Sequence, residues 1–184
     1  VVAELVALVH HAPEMAVLRL DGHARAVAKA GGVDLLAAAV GIEHQHVGAI
    51  RLLPRLGEKL AAHYPGTRLA VTEYNYGGGE HVSGAVAQAD ALGIFGREDL
   101  FAATLWDLSG GTRYVDGAFA LYCNYDGAGG RFGDTSIGAA TSNHETTSVY
   151  ASVDEGRDDR MVLVAVNKST GPTSAEVLVT HPVD

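Results

Sequence analysis

Residues 68–84 have the sequence RLAVTEYNYGGGEHVSG, in which a short apolar run gives way to a polar, glycine-rich loop. Residues 68–72 have no polar side chain at their centre, which is typical of a strand buried on both faces in a parallel sheet. Ser83 is a candidate cap for a helix over residues 84–96, whose apolar residues fall on or near one face. This stretch therefore predicts a strand, a functional loop and a helix in succession.

The flanking sequence extends this pattern in both directions. Leucines recur at helical spacing over residues 52–60, Pro54 suits the first turn, and a Tyr-Pro-Gly sequence at 64–66 ends the helix. Residues 100–108 predict a second buried strand, and residues 114–122 predict another helix. The alternation of helices and strands predicts an α/β unit with parallel strands.

The pattern changes after residue 126. A glycine-rich connection at 127–133 is followed by three strand-like runs, at 148–153, 161–166 and 175–180, with short turns between them. Strands joined in this way predict an antiparallel meander. Three strands make a thin sheet, so we expect them to form part of a β-sandwich.

The beginning of the chain differs from the rest in composition. Residues 1–63 contain no Phe, Trp or Tyr, and residues 17–40 are rich in Ala and Leu, which favour helices. Two amphipathic helices around Gly31 and Gly32 are one interpretation, and a mistranslated or spliced segment of a GC-rich gene is another. We therefore predict three regions: 1–47, helical or irregular; 48–126, an α/β domain; and 127–184, an antiparallel β domain.

Composition excludes several classes of function. The 184 residues include 13 basic and 22 acidic side chains, a formal net charge of −9, which argues against a nucleic-acid partner. No apolar run of about 18 residues occurs, so no membrane span is expected. The single cysteine, Cys123, excludes an internal disulfide and a cysteine-rich zinc site.

Two residues at predicted strand ends suggest sugar chemistry. Glu73 directly follows the first strand, and Trp106 lies near the end of the second. Functional residues of parallel barrels lie at the carboxyl ends of the strands, so these two side chains should be neighbours. An indole can stack on a pyranose ring while a carboxylate attacks its anomeric carbon. Tyr74, Asn75 and Tyr76 are candidate hydrogen-bonding partners of the substrate or of Glu73.

Other chemistries have weaker signals. The glycines at 77–79 could cradle a phosphate, although no Gly-Lys-Ser/Thr element follows them. Glu43, His44 and His46 have the spacing of metal ligands on a strand, and a solvated His-rich loop is the alternative. No Gly-x-Ser-x-Gly nucleophile elbow supports a Ser-His-Asp triad.

Several longer strings resemble one known family. They are TEYNYG (72–77), HVSG (81–84), QADALGIFG (88–96), AATLW (102–106), GAF (117–119), NYDGAGGRFGDT (124–135), SVYASV (148–153), DRMV (159–162) and NKS (167–169). Together they resemble glycoside hydrolase family 44, whose members are endo-β-1,4-glucanases, often active on xyloglucan. The resemblance covers residues from about 50 to about 179.

The resemblance implies a fold and a set of roles. The fold would be the carboxyl-terminal portion of a (β/α)₈ TIM barrel, with strands seven and eight at 69–72 and 100–106, followed by part of an antiparallel β-sandwich. Glu73 would be the nucleophile of a retaining hydrolase, and Trp106 would line the substrate cleft. The implied partner is a β-glucan outside the cell, so we expect a secreted parent protein. No cofactor is expected, although the family resemblance leaves room for calcium.

The chain also departs from the family pattern. The acid/base glutamate of the family lies in an Asn-Glu-Pro motif, and no Asn-Glu-Pro occurs here. The His-Trp-Tyr element of strand six has only a partial counterpart at residues 21–23. We therefore expect a truncated fragment without the acid/base residue, with Glu43 and Glu80 as other carboxylates. The alternative is a non-catalytic remnant that binds glucan or is merely structural.

Overall fold

The computed structural model describes residues 2–8, 16–21, 28–30, 33–35, 52–75, 77–106 and 112–179. These ranges contain strands and helices in the order β1 (Val2–Leu8), β2 (Ala16–Asp21), β3 (Ala28–Ala30), β4 (Val33–Leu35), α1 (Leu52–His63), β5 (Ala70–Tyr74), α2 (Val82–Arg97), β6 (Ala102–Leu105), α3 (Arg113–Cys123), β7 (Thr135–Ile137), β8 (Thr147–Asp154) and β9 (Arg157–Asn167). The predicted mixed α/β class is confirmed.

The largest sheet has five strands in the order β2-β1-β9-β8-β7. β8 and β9 form an antiparallel hairpin whose turn contains Gly156, with a φ of 74° that favours glycine. β1 lies parallel to β9, with Val2 opposite Arg160, and antiparallel to β2. The first and last described strands therefore share one sheet.

The core lies between this sheet and two helices. Its buried members come from α2, α3, β9 and the segment that follows α3: Ala89, Ala118, Leu121, Tyr122, Tyr125, Val162, Val164 and Val166. Leu121 and Val164 are fully buried. The hydroxyl of Tyr122 donates a hydrogen bond of 2.9 Å to the backbone oxygen of Ala89, which ties α3 to α2. α2 therefore packs against a buried apolar core.

A second, smaller sheet pairs β5 with β6 in parallel, and α2 connects the two strands. This confirms the predicted strand–helix–strand unit. The expectation that β5 is buried on both faces is wrong, because only Tyr74 in that strand is buried. α1 is a helix as predicted, with Pro54 in its first turn, and none of its residues is buried.

Three sequence-based expectations differ from the structure. Where residues 17–40 are described they form β2, β3 and β4, so helices are wrong there. Residues 175–179 are not in a strand, and β7 occupies the sheet edge beside β8 instead. The cap of α2 is His81, whose ring nitrogen accepts a 3.1 Å hydrogen bond from the backbone N–H of Ser83. The TIM barrel, the sandwich and the boundaries at 47 and 126 stay predictions.

Within the described ranges, each helix is too short or too polar to cross a lipid bilayer. The longest of them, α2, has 16 residues.

Candidate active site

Glu73 lies in a bulge near the carboxyl end of β5. Val71 is opposite Ala103 and Tyr74 is opposite Leu105, so two residues of β5 occupy the space opposite one residue of β6. An extra residue of this kind bends the strand and redirects a side chain, and such bulges occur often next to active sites. The bulge therefore gives the Glu73 side chain a direction that a regular strand would not.

The backbone of Glu73 has a φ of 57°, in the left-handed region. For a residue with a side chain this conformation costs about 1–2 kcal/mol relative to ordinary geometry. Residues held in this way are concentrated at active sites, where the surrounding structure enforces them. A hydrogen bond of 3.2 Å from the Glu73 N–H to the hydroxyl oxygen of Thr104 holds the bulge from the β6 side.

Trp106 follows β6 directly and is joined to the end of β5. Its backbone N–H donates a 2.9 Å hydrogen bond to the backbone oxygen of Tyr74. Its own backbone oxygen accepts a hydrogen bond from the side-chain amide of Asn75. The indole is 46% exposed. The structure thus brings Glu73 and Trp106 to the adjacent ends of two paired strands, as the sequence predicts.

Asn75 is engaged at both ends of its amide. While its nitrogen donates to Trp106, its oxygen accepts a 2.6 Å hydrogen bond from the backbone N–H of Gly77. These bonds fix the turn out of β5 and the position of Trp106. We call the exposed residues Glu73, Asn75, Thr104 and Trp106 the strand-end site.

Tyr74 differs from its expected place in the site. It is 9% exposed, its hydroxyl accepts a 2.7 Å hydrogen bond from the side-chain nitrogen of Gln88, and its ring meets Phe95 edge-on at 5.3 Å. The side chain therefore packs against α2, and its hydroxyl bonds to Gln88 in place of the expected bond to the substrate or to Glu73. Four predicted candidates lie outside the described residues: Glu43, His44, His46 and Tyr76.

The backbone of the glycine-rich loop at residues 77–79 connects β5 to α2 and to α3. The oxygen of Gly78 accepts a 2.9 Å bond from the His81 N–H, and the oxygen of Gly79 accepts a 3.2 Å bond from the Tyr114 N–H. A Cβ on Gly84 would lie 2.1 Å from the Gly78 oxygen, so the loop and α2 approach closely. Since His81 already caps α2, the arrangement favours a structural loop over a phosphate cradle.

Asp126 directly precedes the second glycine-rich segment, residues 127–133. Its carboxylate accepts 2.8 Å hydrogen bonds from the backbone N–H groups of Ala128 and Gly130. These bonds lower the pKa of Asp126 below its usual value, because they stabilise the charged form. Asp126 therefore shapes a turn. Among the residues that the structure describes, no group of three His, Cys, Asp or Glu side chains is placed to hold a metal ion.

Two residues that contribute to the geometry of the strand-end site, Thr104 and Gln88, were not predicted from the sequence. Thr104 sits in a strand pattern that gives no hint of its bond to the neighbouring strand. Gln88 did carry a signal, because it is a polar residue among the small apolar residues of α2, and it is fully buried. A buried polar residue on an apolar helix face indicates a specific partner, here Tyr74.

The described structure is that of an α/β protein in which a parallel strand pair has a carboxylate, Glu73, and the exposed Trp106 at its carboxyl ends. No family model matches the chain. The chain is similar to Endoglucanase A of Paenibacillus lautus, with 46% identity over 118 residues, which are 64% of this chain and 17% of that protein.

Solved structures give the same result. A xyloglucanase from glycoside hydrolase family 44 of Paenibacillus polymyxa matches with a TM-score of 0.62 and 48% identity, over 64% of this chain and 23% of that one. A family 44 endoglucanase from Clostridium thermocellum matches with a TM-score of 0.60 and 46% identity, over the same shares. These matches confirm that the chain resembles glycoside hydrolase family 44, and it spans less than a quarter of the length of each relative.

Proposed function

We propose that this chain carries the nucleophile side of a retaining hydrolase that cleaves β-1,4-glucan. The observation that supports this most directly is the left-handed backbone of Glu73, on a bulge at the end of β5 and beside the exposed Trp106. The proposal includes the finer fold: β5 and β6 as strands seven and eight of a (β/α)₈ barrel, with β7, β8 and β9 in a β-sandwich.

Glu73 acts in the first half of the proposed reaction. One carboxylate oxygen attacks the anomeric carbon and forms an ester bond as the glycosidic C–O bond breaks, and the leaving oxygen takes a proton from an acid. Water then attacks the anomeric carbon and gives its proton to the same group acting as base, while the bond from this carbon to the Glu73 oxygen breaks and frees the carboxylate. Trp106 holds the sugar by stacking. Members of the resembled family use a glutamate of an Asn-Glu-Pro motif as this acid, and the chain contains no such motif.

A substrate that needs no acid therefore tests Glu73 by itself. In 2-deoxy-2-fluorocellobiosyl fluoride the C1–F bond breaks and fluoride leaves without a proton, while the carboxylate forms its bond to C1. We expect the intact chain to gain one glycosyl group, located on Glu73 by peptide mass spectrometry. Glu73→Gln should abolish the label, and Glu80→Gln, which removes a nearby exposed carboxylate, should keep it.

Turnover is a separate question from labelling. Reducing-sugar release from carboxymethylcellulose and xyloglucan, compared between the chain and Glu73→Gln, tests whether a second carboxylate reaches the site. Labelling without turnover fits a chain that has the nucleophile and lacks the acid/base. Absence of labelling in the unmodified chain would contradict the role of Glu73.

The second candidate is a glucan-binding module without catalysis, and the exposed indole of Trp106 favours it. In that case Trp106→Ala lowers affinity for cello-oligosaccharide, measured by calorimetry, and the chain takes no label. Phe101→Ala is the matched control, because Phe101 is 59% exposed but precedes β6 and so lies at its opposite end. In either case we propose a β-glucan partner and, since such polymers lie outside cells, a secreted parent protein.

A further inference from the structure

Gln88 is a buried polar side chain with one partner and one unused group. It lies on α2 between Ala85 and Ala89, and none of its surface is exposed. Its amide nitrogen donates 2.7 Å to the Tyr74 hydroxyl. Its amide oxygen has no hydrogen-bond partner within the described part of the chain. An apolar side chain of similar length would avoid burying this oxygen, so stability alone does not account for a glutamine here.

Gln88 connects α2, which is packed in the core, to the strand-end site. α2 is fixed by the fully buried Ala89 in the apolar core and by close packing at Gly93, where an added Cβ would lie 2.2 Å from the Tyr150 ring. Gln88 extends from this helix to Tyr74, the residue that follows Glu73 in β5. The phenol ring of Tyr74 is therefore held from an anchored helix.

Tyr74 in turn closes the bulge that sets the direction of Glu73. Its backbone oxygen accepts the N–H of Trp106, and its pairing with Leu105 restores the register after the bulge. On the other side, the N–H of Glu73 donates to the Thr104 hydroxyl, at 3.2 Å. Loss of the bulge would shift β5 by one residue and turn the Glu73 side chain to the other face. The orientation of Glu73 thus depends on Tyr74 staying in place.

We infer that Gln88 is a positioning residue for Glu73, acting through its hydrogen bond to the buried Tyr74 hydroxyl. This inference rests on the proposed role of Glu73 as nucleophile. It assigns Tyr74 and Gln88 to the orientation of the carboxylate and leaves contact with sugar to the exposed residues of the strand-end site.

The test compares labelling kinetics of the full chain with 2-deoxy-2-fluorocellobiosyl fluoride across four variants. Gln88→Met removes the donor at nearly constant length, Tyr74→Phe removes the acceptor, and the double variant removes both. Tyr122→Phe is the control, because it deletes another buried hydroxyl that bonds to α2, at Ala89. A merely structural role for Gln88 would make the control behave like the other variants.

We expect the rate of labelling at saturation to fall roughly 10- to 100-fold in Gln88→Met and Tyr74→Phe, since small displacements of a reacting group cost this much. The half-saturating concentration should not change, and the double variant should be no slower than either single one. Tyr122→Phe should label at the unmodified rate. Unchanged labelling in Gln88→Met, or an equal loss in the control, would overturn the inference. A raised half-saturating concentration in Tyr74→Phe would mean that Tyr74 contacts the sugar instead.

Amide hydrogen exchange at Glu73 and Trp106 makes the test independent of catalysis. Gln88→Met should accelerate both amides, and Tyr122→Phe should leave them unchanged. If the unmodified chain takes no label, the nucleophile proposal fails, and the exchange result then decides the positioning role alone. Equal exchange in all variants would overturn it.

Discussion

Two regions of the molecule are held by different forces. The first is the contact of α2 and α3 with the five-stranded sheet, and the second is formed by the carboxyl ends of β5 and β6. The first region buries Ala89, Leu121 and Val164 completely, so it is stabilised by removal of apolar surface from water. In the second, Tyr74 is the one buried residue of β5 and β6, and hydrogen bonds cross between the two strand ends. The difference indicates that the apolar core contributes most of the free energy of folding. This free energy offsets the cost of the left-handed backbone at Glu73 in the strand-end site.

The largest effect should follow from emptying the core. Leu121→Ala removes a fully buried side chain and should lower the free energy of unfolding by about 2–5 kcal/mol. Leu52→Ala, on the exposed face of α1, should change it by less than about 0.5 kcal/mol. Urea denaturation of both variants checks this. Similar losses in the two would mean that the apolar core does not dominate stability.

The junction of α2 with β8 should respond next. A Cβ at Gly93 would lie 2.2 Å from the Tyr150 ring, so Gly93→Ala should destabilise the chain by about 1–3 kcal/mol. Gly96→Ala lies in the same helix with nothing within 4 Å of the added carbon, and should stabilise it by up to about 1 kcal/mol. Thermal unfolding of the pair measures the difference, and effects of the same sign would contradict the observed packing.

Alkaline pH should weaken the core through its tyrosines. Burial, followed by the hydrogen bond to Asp90, raises the pKa of Tyr150 above its ordinary value near 10, and burial raises that of Tyr122. The unfolded chain then releases protons that the native chain keeps. Stability is fully present below about pH 10 and falls above it, by at most about 1.4 kcal/mol per pH unit for each tyrosine.

Tyr150→Phe should reduce this alkaline slope, and the exposed Tyr64→Phe should not. Urea midpoints at pH 9, 10 and 11 provide the measurement. An unchanged slope in Tyr150→Phe would show that its hydroxyl is accessible to water in the native chain.

The smallest effect concerns the strain at the strand-end site. Glu73→Gly should stabilise the chain by up to about 1 kcal/mol, because glycine adopts a φ of 57° without the steric cost of a side chain. Thr72→Gly, in the same bulge without a positive φ, should destabilise it. A destabilised Glu73→Gly would mean that the contacts of the glutamate outweigh its strain. Chemical denaturation at neutral pH distinguishes the signs.

Much of the α/β part could be predicted from sequence, because its signals are local. The leucine spacing of α1, the apolar runs of β5 and β6 and the apolar face of α2 lie within single elements, and all four elements occur where expected. Placing Glu73 and Trp106 at neighbouring strand ends needed only the parallel arrangement. The family resemblance added the role assigned to each.

The rest of the fold depends on contacts between residues that are distant in the sequence, and local patterns do not show such contacts. β2 lies in the Ala- and Leu-rich stretch for which helices were expected, yet it forms a strand by pairing with β1, which in turn pairs with β9. The predicted meander would place residues 175–180 beside β9, and β1 occupies that side of β9 in the structure, which local alternation does not indicate. A positive φ at a glutamate is uncommon, so neither the bulge nor the contacts of Thr104 and Gln88 could be derived from sequence.

The parallel pairing of β1 with β9 has a consequence for how the chain folds. It joins residues about 160 positions apart, and closing a loop of that length costs roughly 4–5 kcal/mol of chain entropy before any contact forms. During synthesis, the edge of β1 that pairs with β9 therefore stays unpaired until β9 has been made. Unpaired strand edges promote association between chains. Because β9 follows β1 by about 160 residues, this chain should refold slowly and should do so best at low concentration.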